Sequence, residues 1–202
     1  MKESIGVRVD QERGIFSYDR MNYLFFMSGG SDLTDESKLN GWLPEAEFVK
    51  AVQALPLVSV DLVVINPAGQ MLLGLRRNAP ARDWWFTPGA RVRKNEAFTQ
   101  TLQRVMSTEV GLLSTQVHAQ PKLIGIWDHF YDDSAFNTEV STHYVNLPHW
   151  LKVSRCMDLD DLPSDQHSGW RWQDPQEAAL AEDVHPYVRA YAQWLLDRDL
   201  LE

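Results

Sequence analysis

Apolar residues at Phe48, Val49, Val52 and Leu55 recur at helical spacing after Pro44, and Pro56 ends the run, so the spacing predicts an amphipathic helix. Two β-rich apolar runs follow, Leu57 to Ile65 and Gly69 to Arg76. The Asn66-Pro67-Ala68-Gly69 turn between them predicts paired antiparallel strands. After Trp84-Trp85-Phe86 and Pro88-Gly89, the segment from Asn95 to Val110 has helical periodicity, with Asn95 as N-cap, Glu96 in the first turn and Gly111 at the C-terminal stop. Further strands are predicted at Leu123 to Phe130, His143 to Leu147 and Trp170 to Trp172, and a helix from about Val184 to Leu196. Strands with helices on each side point to a layered α/β domain. Residues 28 to 41 are polar and turn-forming, the composition of a linker, so residues 1–41 read as an N-terminal extension in front of a domain over 42–202. Within that extension Gly14 to Tyr18 reads equally as a short strand or as part of a disordered arm.

Composition narrows the class. The 202 residues carry 19 Lys plus Arg against 28 Asp plus Glu, a net charge of −9, which argues against a nucleic-acid partner or a polybasic membrane surface. The single cysteine, Cys156, excludes an internal disulfide and accords with a reducing cytoplasm. The apolar patch Tyr23 to Met27 is too short to span a bilayer, and the N-terminus offers no secretory signal, so the expected location is cytoplasmic.

The chemistry centres on Gly89-Ala90-Arg91-Val92-Arg93-Lys94-Asn95-Glu96 followed by Arg104, Glu109, Gly111 and Leu112. This stretch resembles the Nudix box, G-x5-E-x7-R-E-U-x-E-E-x-G-U with U aliphatic. The match is partial: Ala90 stands at the first glycine position, with Gly89 just before it, and Val105 and Thr108 replace two glutamates. Positions 105, 108 and 109 share one helix face, so a full box directs three carboxylates at its metals, and this chain directs one. A single carboxylate makes a weak site for a hard cation, which then needs neutral oxygen ligands and substrate phosphates.

Beyond the box, Leu57 to Asp61, Leu72 to Arg76, Trp85 to Gly89, Trp127-Asp128-His129-Phe130-Tyr131-Asp132-Asp133, Thr142 to Val145, Asp165-Gln166-His167 and Arg171-Trp172 resemble the GDP-mannose mannosyl hydrolases, a Nudix family with the same thinned box. The resemblance runs from about Trp42 to Trp172. It implies a Nudix-type α/β/α sandwich with a mixed β-sheet, one Mg²⁺ per active site, and a homodimer. It also implies that Gly89 (by its carbonyl), Glu109 and Gln166 hold the metal and that His167 is the general base. Arg76 and Arg91 would contact the diphosphate, with Arg77 and Arg93 as alternatives beside them, and Asp61 and Tyr144 would lie at the sugar and leaving-group end. Trp42, Leu43 and Phe48 match positions near the nucleotide, and His129 is a further candidate for substrate contact. Glu96 and Arg104 would join loop to helix.

The resemblance further implies hydrolysis of GDP-mannose, or of GDP-glucose, to GDP and free sugar by water attack at the anomeric carbon with inversion, and these residue types suit that reaction. A nucleoside diphosphate leaves easily when Mg²⁺ and guanidinium groups neutralise its charge. The sugar carbon becomes oxocarbenium-like, and a base activates water on the opposite face. His167 lies in the turn-rich stretch Leu162 to Gly169, read as a loop that supplies both ligand and base. Two other readings remain open: a Nudix diphosphohydrolase attacking phosphorus to give GMP and sugar 1-phosphate, and a non-catalytic nucleotide-sugar-binding module. The second is motivated by Ala90, if the loop needs a positive φ there.

Overall fold

The computed structural model describes residues 7–10, 15–18, 43–112 and 120–198. Strands β1 (Val7–Asp10) and β2 (Ile15–Tyr18) pair antiparallel. Helix α1 (Glu45–Ala54) follows Pro44 and buries Phe48 and Val52 against Val140.

Strand β3 (Leu57–Ile65) is the spine of a mixed sheet. The turn at Asn66–Gln70, closed by Asn66 Oδ1 accepting from the Ala68 and Gln70 amides, leads to β4 (Met71–Arg76), as the turn residues predict. The two strands meet at Ile65 opposite Met71 and then diverge. The space between them is filled by β5 (Trp85–Phe86), which pairs with β4, and β6 (Gly89–Arg91), which pairs with β3. Strands β7 (Lys122–Leu123), β8 (Trp127–Tyr131), β9 (Thr142–Asn146), β10 (His149–Lys152) and β11 (His167–Gln173) complete the sheet. Both β9 and β10 run parallel to β3, one along each half of it, and β11 runs antiparallel to β4.

Alternation along β3 sorts the core into two layers. Val60, Leu62 and Val64 face α2 (Phe98–Val110), while Val63 and Ile65 face α3 (Pro175–Leu180) and α4 (Pro186–Leu196). Full burial of each such aliphatic side chain contributes about 1.5–3 kcal/mol. The result is the three-layer α/β/α arrangement with a mixed sheet.

Several boundaries differ from the sequence expectation. Asn95 does not cap α2: it has φ +64° in the preceding turn, the helix begins at Phe98, and the Gln100 side chain accepts from the Ala97 amide. Gly111, with φ +69°, ends the helix as expected. The strand expected over 123–130 splits at Gly125, and β10 and α3 were not anticipated. His167 opens β11 opposite Arg76 and so lies in a strand, because the pairing with β4 extends past the turn-forming residues.

Candidate active site

The split between β3 and β4 places chemical groups on both faces of the sheet. On the α4 face, Asp61 sits opposite Gly89. A Cβ at residue 89 would overlap Asp61 Oδ1 and approach the Val60 carbonyl to 2.7 Å, so the carboxylate occupies the space a side chain would need. The Leu62 amide donates to Pro88 O and the Val92 amide to Val58 O, which sets the ladder's alternation and makes Asp61 and Gly89 a non-hydrogen-bonded pair. The Gly89 carbonyl therefore points away from β3. Ala90 has no positive φ and occupies ordinary strand geometry opposite Val60, so alanine introduces no strain and the motive for a lapsed site disappears.

Asp61 is buried, and desolvation raises its carboxyl pKa from 3.8 to about 6 against the opposing hydrogen bonds and the charge of Arg76. Its Oδ2 accepts from Tyr191 Oη and Asn146 Nδ2, both at 2.8 Å. Asn146 also donates to Tyr191 Oη at 2.7 Å, and Ser59 Oγ donates to Asn146 Oδ1 at 2.8 Å. His129 lies 3.0 Å from Tyr191 Oη through Nε2 and stacks on Tyr187 with centroids 3.8 Å apart. Burial holds its pKa well below the ordinary range. Around this network stand Tyr131, Tyr144 and His185, the last accepting from the Tyr187 amide as the N-cap of α4. Burial raises the hydroxyl pKa of Tyr131 and Tyr144, and Arg76 partly offsets it.

On the α2 face, Gln166 Nε2 donates to Glu109 Oε1 at 3.1 Å. Burial raises the pKa of Glu109, opposed by the charges of Arg76 and Arg104. His167 is 1% exposed. Its ring lies across Gly74, where a Cβ would come within 2.6 Å of Cγ, and packs on Trp170 with centroids 4.4 Å apart. Desolvation and then the charge of Arg76 depress its pKa to about 3, and Nε2 is buried with no hydrogen-bond partner among the described residues. Position 105 is a fully buried core valine, and Thr108 Oγ1 donates to its own helix at Arg104 O, so neither adds a ligand. Among the described residues there is no group of three or more His, Cys, Asp or Glu able to hold a metal. If the expected residues hold a cation, the donors would be the Glu109 carboxylate, the amide oxygen that a 180° turn of Gln166 would present and the outward carbonyl of Gly89, a set of hard oxygens of the kind that suits Mg²⁺.

Arg76 stands between the two faces. Its charge acts on Asp61, Tyr131 and Tyr144 on one side and on Glu109 and His167 on the other, while Nε donates to Pro80 O at 3.0 Å. Arg91 sits with its guanidinium 4.2 Å above the Phe48 ring, and burial lowers its pKa. Phe48 is itself 5% exposed, packed edge-on against Phe136, so in this arrangement its ring is a platform for Arg91. Leu43 is exposed beyond α1, and Trp42 lies outside the described residues. Glu96 and Arg104 form a two-pronged pair, and Arg104 also donates to Arg91 O, joining the β6 loop to α2. His143 pairs with Asp128 at 2.9 Å on the outer side of β8 and β9, away from Asp61.

Comparison with known proteins settles the family. Residues 55–195 match the model of the NUDIX domain. The chain belongs to the NUDIX domain family. Nudix hydrolases generally use divalent ions such as Mg²⁺ and act on nucleotide-derived substrates. A relative from Haloferax volcanii, the low-salt glycan biosynthesis protein Agl8, is 41% identical over 150 residues, 74% of this chain and 88% of that one. The MutT NUDIX hydrolase of Burkholderia pseudomallei superposes with a TM-score of 0.55 at 19% identity, covering 70% of this Nudix chain and 98% of its own. The NUDIX domain of Shewanella oneidensis NrtR, solved with ADP ribose, gives 0.53 at 16% identity over 77% and 99% of the two chains. These likenesses establish the fold. Among the described residues no helix is long and apolar enough to cross a membrane.

Sequence reasoning missed Asn146, Tyr187, His185 and Tyr191. Tyr191 lies 130 residues from Asp61, and nothing local marks it apart from its place on the apolar face of a helix.

Proposed function

We propose that this Nudix hydrolase cleaves GDP-mannose, with GDP-glucose as the alternative sugar, into GDP and free sugar by attack of water at the anomeric carbon with inversion. The observation that carries the reading is the single-carboxylate face of α2, Glu109 against Gln166, with the buried Nε2 of His167, unpartnered among the described residues, next along the chain. Attack at phosphorus usually relies on the carboxylates that Val105 and Thr108 replace. A glycan-biosynthesis relative that aligns over most of its length supports a nucleotide sugar as substrate.

In this reading Gly89, Glu109 and Gln166 would hold one Mg²⁺, and the chemistry it would supply is charge neutralisation at the departing diphosphate. Arg76 and Arg91 bind the phosphates. The position of Arg76 at the end of β4, beside the β3–β4 split, supports that role. His167, neutral across the physiological range, takes the proton of the attacking water. Protonating a buried imidazole next to Arg76 is costly, and the negative charge developing on the leaving group offsets that cost. Asp61 and Tyr144 meet the sugar and leaving group, with His129 behind them. The working unit is a homodimer.

The test is turnover of GDP-mannose with Mg²⁺ in ¹⁸O-labelled water, followed by proton NMR and mass spectrometry. GDP and initially β-configured mannose carrying the label is the expected result. GMP and mannose 1-phosphate would move the attack to phosphorus and remove His167 from its role, and saturable binding without turnover would leave a binding module.

A further inference from the structure

With Asp61 ionised, the polar chain behind it has one consistent direction. Ser59 donates to Asn146 Oδ1, so the Asn146 amide nitrogen faces Asp61 and Tyr191 and spends one proton on each. Tyr191 has a single proton, and Asp61 Oδ2 at 2.8 Å receives it. The Tyr191 oxygen can then only accept from His129, which fixes that imidazole as the Nε2–H tautomer. Both donors to Asp61 converge on Oδ2, while Oδ1 takes the space over Gly89. Tyr191 is fully buried and its ring is held edge-on against Trp127 at 4.9 Å, so the hydroxyl has little freedom to move.

We propose that Tyr191 of α4, with Asn146, is a positioning residue that pins the Asp61 carboxylate through Oδ2 and so presents Oδ1 to the substrate beside Gly89. The proposal rests on the reading of this cleft as a nucleotide-sugar site. Helix α4 thereby sets the aim of a group on β3 without touching substrate, and His129 completes the chain by saturating the tyrosine oxygen.

The experiment compares wild type, Tyr191→Phe, Asp61→Asn and the double variant with GDP-mannose and Mg²⁺, alongside ¹⁵N-histidine NMR of each. Phenylalanine keeps the ring packing, so the expected change is a fall in kcat of about 10- to 100-fold with KM within about threefold. The double variant should be no slower than Asp61→Asn alone, since Tyr191 acts through that carboxylate. In the spectra His129 should be the Nε2–H tautomer in wild type, with its Nε2 resonance displaced in Tyr191→Phe. A kcat within twofold of wild type, or losses that multiply in the double variant, would overturn the positioning role. If Tyr191→Phe does not fold, Ser59→Ala takes its place, with a smaller kcat loss that again vanishes in the Asp61→Asn background. A wild type that turns over no nucleotide sugar would sink the functional reading, and with it the catalytic consequence. The NMR arm still judges the wiring, which an Nδ1–H tautomer at His129 would refute.

Discussion

The clamp between Glu96 and Arg104 can be tested quantitatively. Glu96 accepts from Arg104 Nε at 2.6 Å and Nη2 at 2.8 Å, from Thr101 Oγ1 at 2.8 Å and from the Arg93 amide at 3.0 Å. Although burial pushes its pKa up, these donors pull it from 4.5 to about 2. At about 1.4 kcal/mol per pKa unit the depression corresponds to an upper bound of about 3 kcal/mol. Solvent screening at the open side of the clamp reduces that to about 2 kcal/mol. Because the folded-state pKa is the lower one, the contribution is fully present above pH 4.5 and is lost as pH falls towards 2. Glu96→Gln should therefore lower stability by about 2 kcal/mol at pH 7, or about 4–8 °C in Tm, with the difference from wild type shrinking steadily below pH 4.5. Urea unfolding from pH 7 to pH 3 measures it. A stability difference that does not change with pH, or one below about 0.5 kcal/mol at pH 7, would refute the clamp as an electrostatic device.

Three more perturbations address the site itself. Gly89→Ala forces a methyl group into the Asp61 carboxylate and should cost about 1–3 kcal/mol by thermal unfolding, with a loss of about tenfold or more in kcat. Unchanged stability would mean that the carboxylate is free to swing aside. His167→Asn should reduce kcat by about 10²- to 10⁴-fold with KM little changed, and near-normal steady-state turnover would remove His167 from the base role. Glu109→Gln should raise the Mg²⁺ concentration for half-maximal rate by about tenfold or more and lower the maximal rate. A magnesium titration that superposes on wild type would remove Glu109 from the ligand set.

What the sequence made legible were features written in short-range pattern. The turn at Asn66–Gln70, the apolar alternation of β3 and the stop at Gly111 follow from local chemistry. The loop-to-helix pairing of Glu96 with Arg104 followed from the resemblance to the Nudix box. The failures involve competition between local signals and distant partners. Asn95 has the residue type of a helix cap, but Glu96 is committed to Arg104, and the chain turns through a positive φ before α2 begins. His167 has loop-forming neighbours, yet the bare backbone of Gly74 gives its ring a surface to lie on, and pairing with Arg76 draws it into β11. Phe48 reads as a nucleotide contact and is buried under Arg91. The Asp61 network joins residues from β3, β8, β9 and α4, and no window of sequence contains more than two of them.

The divergence of β3 from β4 has a mechanical side. Beyond Ile65 and Met71 the sheet is a fork, with Gly89 carried on one prong through β6 and Arg76 at the tip of the other. The prongs are bridged at that depth by Thr87 and Pro88, between β5 and β6. On the reading proposed above, a ligand that meets Arg76 directly and the Gly89 carbonyl through a cation would be a crossbar between the tines. Part of its binding free energy goes into fixing their separation, and a molecule that reaches only one tine forfeits that stiffening. On that reading, such a cleft would favour a long, two-ended diphosphate over a short phosphate, independently of which base or sugar is attached.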